Sequence, residues 1–273
     1  MQSTNTTLIL GGTGKTGSRV AQQLVARGAS VRAASRSGAV RFDWDEPATW
    51  APRSPARPRC TSPIPRPGAA GRGRPHRRVR APRGGAGVRR VVLLSGRGEP
   101  QVQPSEDAVR ASGAEFTILR AAWFDQNFSE GYLRDAVIAG EIAFPGGDTP
   151  EPFIDADDIA EVAAVALTSD AHVGRTYELT GPRLLTLADA AVELTTALGR
   201  EVRYTPISWQ AYGEVLASFL PADTAAFMRD LFAQLLDGHN AHVTDDVARV
   251  LGRPARDFRD FARDAALARM WGA

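Results

Sequence analysis

Apolar residues follow two rhythms along this chain. Short continuous runs, Leu8-Ile9-Leu10, Val91-Val92-Leu93-Leu94 and the core of "EFTILR", read as strands buried on both faces of a parallel sheet. Between them the spacing turns helical: Val20, Leu24 and Val25 share one face, and Gly28 ends that helix before the strand "SVRAAS". "SEDAVRASG" is an amphipathic helix with Ser105 as its N-cap. "DADDIAEVAAVALTS" is another, with Asp155 or Asp157 favourable at the positive end of the helix dipole. This alternation predicts an α/β fold: a Rossmann-type, doubly wound parallel sheet.

The C-terminal pattern is different. "TYELTG" and "EVRYTPIS" read as strands flanking the helix "TLADAAVELTTALG", and helices follow at about 208–219 and 222–237. "VTDDVARVLGRPARDFRDFARDAALARM" closes the chain, with Thr244 or Asp245 as a cap. The expected organisation is a dinucleotide-binding core over 1–155. Residues 156–273 add the remaining core elements and a smaller, mainly helical lobe that makes a cleft over the cofactor edge.

One stretch fits neither rhythm. Residues 52–87 hold ten Arg, eight Pro, six Gly and no acid, with Ile64 and Val79 the only branched aliphatics. The whole chain is formally +2, so these ten arginines leave the rest at −8. An acidic domain with one basic insert lacks the continuous basic face of a nucleic-acid binder. No strand or helix is expected in this segment. Its codons, read one base out from Pro52, admit Ala-Leu-Ala-Gly-Ala-Ser-Ala-Val-Tyr-Leu. That is a helix end, a turn and a buried strand. A pair of compensating frameshifts accounts for the segment better than a selected basic arm.

The single cysteine, Cys60, excludes disulfides within the chain. No apolar run approaches the length of a membrane span, and no basic n-region precedes the first strand, so a cytoplasmic protein is expected. His239 and His242 sit three apart but have no evident third ligand, so no metal site is expected.

The candidate chemistry lies in "LILGGTGKTGSRV". Gly11, Gly14 and Gly17 follow a strand and open a helix, the context that gives such a spacing meaning. Glycines let the backbone turn tightly and approach a pyrophosphate, and the helix N-terminus offers unpaired N–H groups to it. Gly11, Gly12, Thr13, Gly14, Lys15, Thr16 and Gly17 are therefore the expected phosphate cradle. Gly14-Lys15-Thr16 ends like a P-loop, but Ile9 stands where that motif needs its first glycine. The second strand ends in Ser35-Arg36, with no acid before Asp43. Arg36 can pair with a 2′-phosphate, so NADP(H) is favoured over NAD(H). Ser35, Asp43 and Ser95, the last at the end of "RRVVLLSG", complete the expected cofactor wall.

"LILGGTGKTG", "VRAASR", "FDWDEPATW", "VRRVVLLSG", "ASGAEFTILRAAWFDQNF" and "DADDIAEVAAVAL" together resemble the NmrA-like branch of the atypical short-chain dehydrogenases/reductases. The resemblance spans nearly the whole chain outside 52–87. It implies a strand between Asp43 and Val91, and it lays Trp123, Phe124, Asn127 and Phe128 along the nicotinamide and the substrate. It also implies one of two functions. Either hydride passes from NADPH to a small-molecule acceptor such as a quinone, or the dinucleotide is sensed without turnover and a protein partner is bound. The Tyr-x-x-x-Lys pair of ordinary short-chain dehydrogenases is absent, since Lys15 is the only lysine. An aromatic loop and a substrate-sized lobe favour the reductase.

Overall fold

The computed structural model of the protein describes residues 6–50, 59–63 and 88–272. The core elements are β1 (Thr6–Leu10), α1 (Lys15–Ala26), β2 (Ser30–Ser35), β3 (Val40–Arg41), β4 (Arg59–Pro63), β5 (Arg90–Gly96), α2 (Gln103–Arg110) and β6 (Glu115–Ala121). Then come α3 (Arg134–Ala139), β7 (Glu141–Phe144), α4 (Ala156–Thr168), β8 (Arg175–Leu179), α5 (Leu187–Leu198) and β9 (Arg203–Pro206). Four helices finish the chain: α6 (Trp209–Ala217), α7 (Ala222–Leu235), α8 (Asp246–Leu251) and α9 (Phe258–Leu267).

Among the described residues, the main sheet has the order β3-β2-β1-β4-β5-β6-β8, and every neighbouring pair is parallel. The chain winds outward from β1 through β2 to β3, then returns to the other side of β1. This is the doubly wound topology, with its switch point between β1 and β4, the place where such sheets open a ligand crevice.

Side-chain alternation sets the layers. On β5, Val92 joins the larger core, where Ile9, Leu119 and Leu179 meet Val20, Leu24, Ile159, Val162 and Val247 of α1, α4 and α8. Val91 and Leu93 point the other way and pack with Val109 of α2 and Ile118. A third cluster belongs to the lobe. It draws Leu133, Val137, Ile142 and Phe144 together with residues of α5, α6, α7 and α9, around the small parallel sheet β7–β9.

Helix ends follow local chemistry. The Asp155 side chain accepts from Asp157 N and caps α4, while Thr186 and Asp189 form a reciprocal capping box on α5. Three expected caps are corrected. Ser105 lies inside α2, which starts at Gln103 with Pro104 in its first turn. The Thr244 hydroxyl is committed to Glu178 O, and Asp245 begins α8 without a side-chain cap bond. The closing segment is two helices, because Gly252 takes a left-handed φ of 70° and Pro254 follows.

The clearest correction concerns the basic segment. Thr7, Leu8 and Ile9 pair with Arg59, Cys60 and Thr61, and Cys60 to Pro63 pair with Val91 to Leu94. A central strand therefore stands where no strand is read from these residues. Backbone pairing with β1 and β5 on both sides supplies what side-chain propensity lacks. The rest of 52–87 lies outside the described residues. Arg59–Thr61 are the positions at which the shifted frame reads Val-Tyr-Leu. Such a strand, paired on both edges, normally reads as a hydrophobic run. Replacing Arg59→Val, Cys60→Tyr and Thr61→Leu together should raise the melting temperature, by about 2–4 °C for each kcal/mol gained. Thermal unfolding followed by circular dichroism checks this, and an unchanged or lower midpoint would refute the shifted frame as the better strand.

Candidate functional site

The glycine turn divides its labour. Gly11 leaves β1 with φ 68°, a conformation costly for other residues. A Cβ on Gly12 would lie 2.6 Å from the Ala33 Cβ of β2, and one on Gly17 would lie 2.3 Å from Gly11 O. These two glycines let α1 close onto the sheet. A Cβ on Gly14 would meet only Gly11 O, at 3.2 Å. Gly14 and Thr13 are exposed, and Gly14 begins α1 with no side-chain cap bond and no acid in the first turn. A side chain at Gly14 would need Gly11 O to give by a few tenths of an ångström, far less than at Gly12 or Gly17. The open side of this turn and the uncapped first N–H groups of the helix, which Thr16 continues, suit a pyrophosphate.

The far end of the crevice is also built for a polar ligand. Ser35, at the end of β2, is 6% exposed, and its Oγ has no hydrogen-bond partner. A Cβ on Gly38 would lie 2.7 Å from that oxygen. Arg36 is exposed beside it, without a hydrogen bond or ion pair among the described residues. An orphaned buried hydroxyl and an exposed guanidinium together fit an adenosine ribose and its 2′-phosphate. Asp43 is used locally: its Oδ1 accepts from Asp45 N at 3.0 Å and its N–H donates to Thr49 Oγ1 at 2.9 Å.

Ser95 is corrected. It shares its parity on β5 with Val91 and Leu93, so its side chain points to the α2 face. There its Oγ donates to Glu106 at 2.7 Å. Glu106 is wholly buried and also accepts from Arg110 and Arg120. Burial opposes its charge, but the hydrogen bonds from Arg120, Ser95 and Arg110 prevail and lower its pKa. Ser95 therefore braces the sheet rather than facing the crevice.

The loop after β6 lies on the other side of the glycine turn. Lys15 Nζ donates to Gln126 O at 3.1 Å and Asn127 Oδ1 at 3.0 Å. Gln126 in turn bridges Asp155 Oδ1 and Ala156 N, each at 2.7 Å. Trp123 packs against Tyr132, Phe144, Phe153 and Phe232, with centroids 5.6–6.2 Å apart. Tyr132 is 45% exposed, so this aromatic wall opens to solvent. Phe124 bridges to Ile154 through its backbone, and its ring packs on the main core. Phe128 is corrected as a substrate contact. It is fully buried between Phe153 and Phe258, and its carbonyl accepts from Trp271 Nε1 at 2.7 Å. The expected row of contacts is thus split between wall, core and lobe.

His239 and His242 serve structure. His239 pairs with Asp237 and reaches Gly98 O, while His242 meets Arg97. Three tyrosines, Tyr132, Tyr204 and Tyr212, gather around Phe144 in the lobe, and Tyr177 lies on the main sheet. Tyr177 bonds His172, Tyr204 donates to Phe144 O at 2.9 Å, and Tyr212 is buried in the lobe.

Three acids escape sequence reasoning, because spacing carries no signal for burial. Asp125 is wholly buried with both oxygens unpaired, and burial, then the charges of Asp155, Asp158 and Asp257, push its carboxyl far up. Glu151 is 4% exposed with Oε1 unpaired, and burial raises it to about 7. Glu99, on the loop leaving β5, is likewise pushed up to about 7 by burial.

No family model matches the chain. It is 35% identical to the uncharacterized oxidoreductase YesF of Bacillus subtilis (strain 168), over 99% of this chain and 98% of that protein. It is 34% identical to the NAD(P)H azoreductase of Xenophilus azovorans, over 67% of each chain. Its fold is similar to that of an NADPH-dependent quinone oxidoreductase from Escherichia coli solved with NADPH, with TM-score 0.74, 20% identity and coverage of 94% and 98%.

The two glycine roles separate by mutation. Gly17→Ala should lower thermal stability sharply, since its Cβ has nowhere to go. Gly14→Val should leave helix content and melting largely intact while dinucleotide binding is lost. Calorimetry with both variants decides, and unchanged affinity in Gly14→Val would make the motif a packing turn only.

Glu151 predicts a pH effect on stability. Its folded pKa of about 7 lies above the ordinary 4.5, so the folded state holds a proton that the unfolded chain releases. The associated stability is complete below about pH 4.5 and is lost as pH rises through 7. Between pH 5 and 8, Glu151→Gln should lose about 2–3 kcal/mol less than the parent protein. Urea unfolding at several pH values measures this, and parallel pH curves would refute it.

Proposed function

The chain belongs to the NmrA-like branch of the atypical short-chain dehydrogenases/reductases, and on that premise we propose that it is an NADPH-dependent reductase of planar small molecules. A nicotinamide cofactor is common ground with its relatives; the preference for NADP(H) is our reading of Arg36 and Ser35. The observation that carries the proposal is one juxtaposition. Lys15, the first residue after the glycine turn, is bonded to the loop that holds Trp123. This contact supports a reading in which the pyrophosphate cradle and the aromatic wall border one crevice.

NADPH, when bound, supplies a hydride. This chain's residues bind, orient and exclude water around it. In a doubly wound sheet the second mononucleotide half is built from the strands after the switch point. The nicotinamide end should therefore lie beyond β4, β5 and β6, next to Trp123. Trp123, only partly buried and backed by Phe232 at 5.7 Å, supports an aromatic acceptor site in this reading. Quinones and azo dyes share that shape, and relatives bear names for reducing both. No Tyr–Lys pair is needed if the acceptor is electrophilic and already oriented.

The direct test is steady oxidation of NADPH with a panel of quinones and azo dyes. Turnover is expected with at least one. Tight NADPH binding without turnover across the panel would leave the non-catalytic sensor in its place. In the same assay, Arg36→Ala should weaken NADPH about 10- to 100-fold and barely affect NADH. Equal losses for both would refute the 2′-phosphate contact.

A further inference from the structure

One acid at the sheet's C-terminal edge is left unused by the reductase reading. Glu99 follows β5 by three residues, in "GRGEP". Its carboxylate folds back over the strand's last residue: a Cβ on Gly96 would lie 2.0 Å from Oε1 and 2.3 Å from Cδ. Only a glycine leaves space for the carboxyl there. Gly96 pairs with Ala121, the last residue of β6, so Glu99 and Trp123 leave adjacent strand ends. Glu99 is half-buried; its carbonyl accepts from Val102 N at 3.2 Å, while its carboxylate receives no hydrogen bond among the described residues.

Its charged neighbours are occupied elsewhere. Arg97 is buried and bonds Glu178, Asn240 O and His242. From the 237–242 loop, His239 is tied to Asp237 and Gly98 O. From α7, Gln234 meets Gln101. Glu151 faces Arg97, His239 and Asp237. Glu106 lies on the opposite face with Ser95. No arginine neutralises Glu99, and burial alone raises its carboxyl into the range of a neutral-pH acid.

We propose that Glu99 is the proton donor of the reduction, delivering its carboxyl proton to the acceptor as the acceptor is reduced. The inference rests on the reductase reading. The balance is simple. A reduced nicotinamide cofactor gives the acceptor a hydride, two electrons and one hydrogen, and becomes oxidised. The Glu99 O–H bond breaks, its proton bonds to the acceptor heteroatom, and the carboxylate left behind takes a proton from water at the open side of the cleft. The acceptor gains two hydrogens in all. This places an acid on the loop after β5 of a chain that lacks a Tyr-x-x-x-Lys pair.

The test compares the parent protein with Glu99→Gln and Glu99→Ala, using a quinone and an azo dye. In the parent, kcat/KM should fall as pH rises through about 7 and should show a solvent deuterium effect. Glu99→Gln should bind NADPH normally, lose about 100-fold or more in kcat/KM at pH 6, and lose the pH break and the isotope effect. Formate or acetate should restore part of the rate to Glu99→Ala. Independently of turnover, carbon-13 resonances of labelled glutamate should show two carboxyls titrating near 7, of Glu99 and Glu151; the one that vanishes in Glu99→Gln should shift when NADPH is added. A rate, pH break and isotope effect kept in Glu99→Gln would overturn the assignment while leaving the reductase standing. A parent protein that binds NADPH but reduces no acceptor would overturn both. A Glu99 resonance insensitive to NADPH would remove it from the cofactor's end of the cleft and overturn this role alone.

Discussion

The structure depends on one close approach. α1 reaches β1 and β2 only because Gly12 and Gly17 carry no side chain, with less than 3 Å available for a Cβ at either position. The same approach aims the first turn of α1 at the sheet's switch point. It seats Val20 and Leu24 on the core shared with α4. A motif read for phosphate chemistry is thus also a packing device. Two of its glycines serve the fold, and only Gly14 has room to serve a ligand.

From that turn a chain of polar contacts runs to the lobe. Lys15 holds Asn127 and the carbonyl of Gln126, and Gln126 holds Asp155 at the cap of α4. Asp155 pairs with Arg256 at 3.1 Å, and Asp158 accepts from Arg253 and from Arg256 N. The segment carrying these arginines leads into α9 of the lobe. Asp155 and Asp158 are 1% and 0% exposed, so these pairs are desolvated, and removing one partner would strand a buried charge. The lobe is therefore keyed to the core through the same loop that lines the cleft. Burial and the charges of Asp155 and Asp158 push the unpaired Asp125 carboxyl up, opposing a further charge in that knot.

What the sequence discloses follows from the range of the forces involved. β1, α1 and β2 are legible because their signals are local: an apolar run, a glycine spacing, a helical face. Helices α4 and α5 are legible for the same reason, with an acid expected at the start of α4; the caps Asp155 and Thr186 emerge only in the structure. Ser95 misleads because its direction depends on parity against α2, which only the packed sheet fixes. Phe128 misleads because a resemblance places a loop, while the lobe decides which ring turns inward. Glu99 and Glu151 are silent in sequence. Their chemistry comes from burial that outweighs any basic neighbour, and burial has no spacing.

β4 is the reverse case, a strand whose own residues argue against it. Arg59, Cys60, Thr61, Ser62 and Pro63 include a charge, a proline and no branched aliphatic residue. Yet without β4, β1 and β5 would each leave a row of backbone N–H and C=O groups unpaired at the centre of the sheet. That demand is blind to side chains, so any extended segment at the right distance can meet it. Degenerate codons for these residues, read one base out, admit Val-Tyr-Leu at the three positions paired with Thr7, Leu8 and Ile9. The backbone occupies the position that the sheet requires, although its residues lack the branched aliphatic side chains such a strand normally carries.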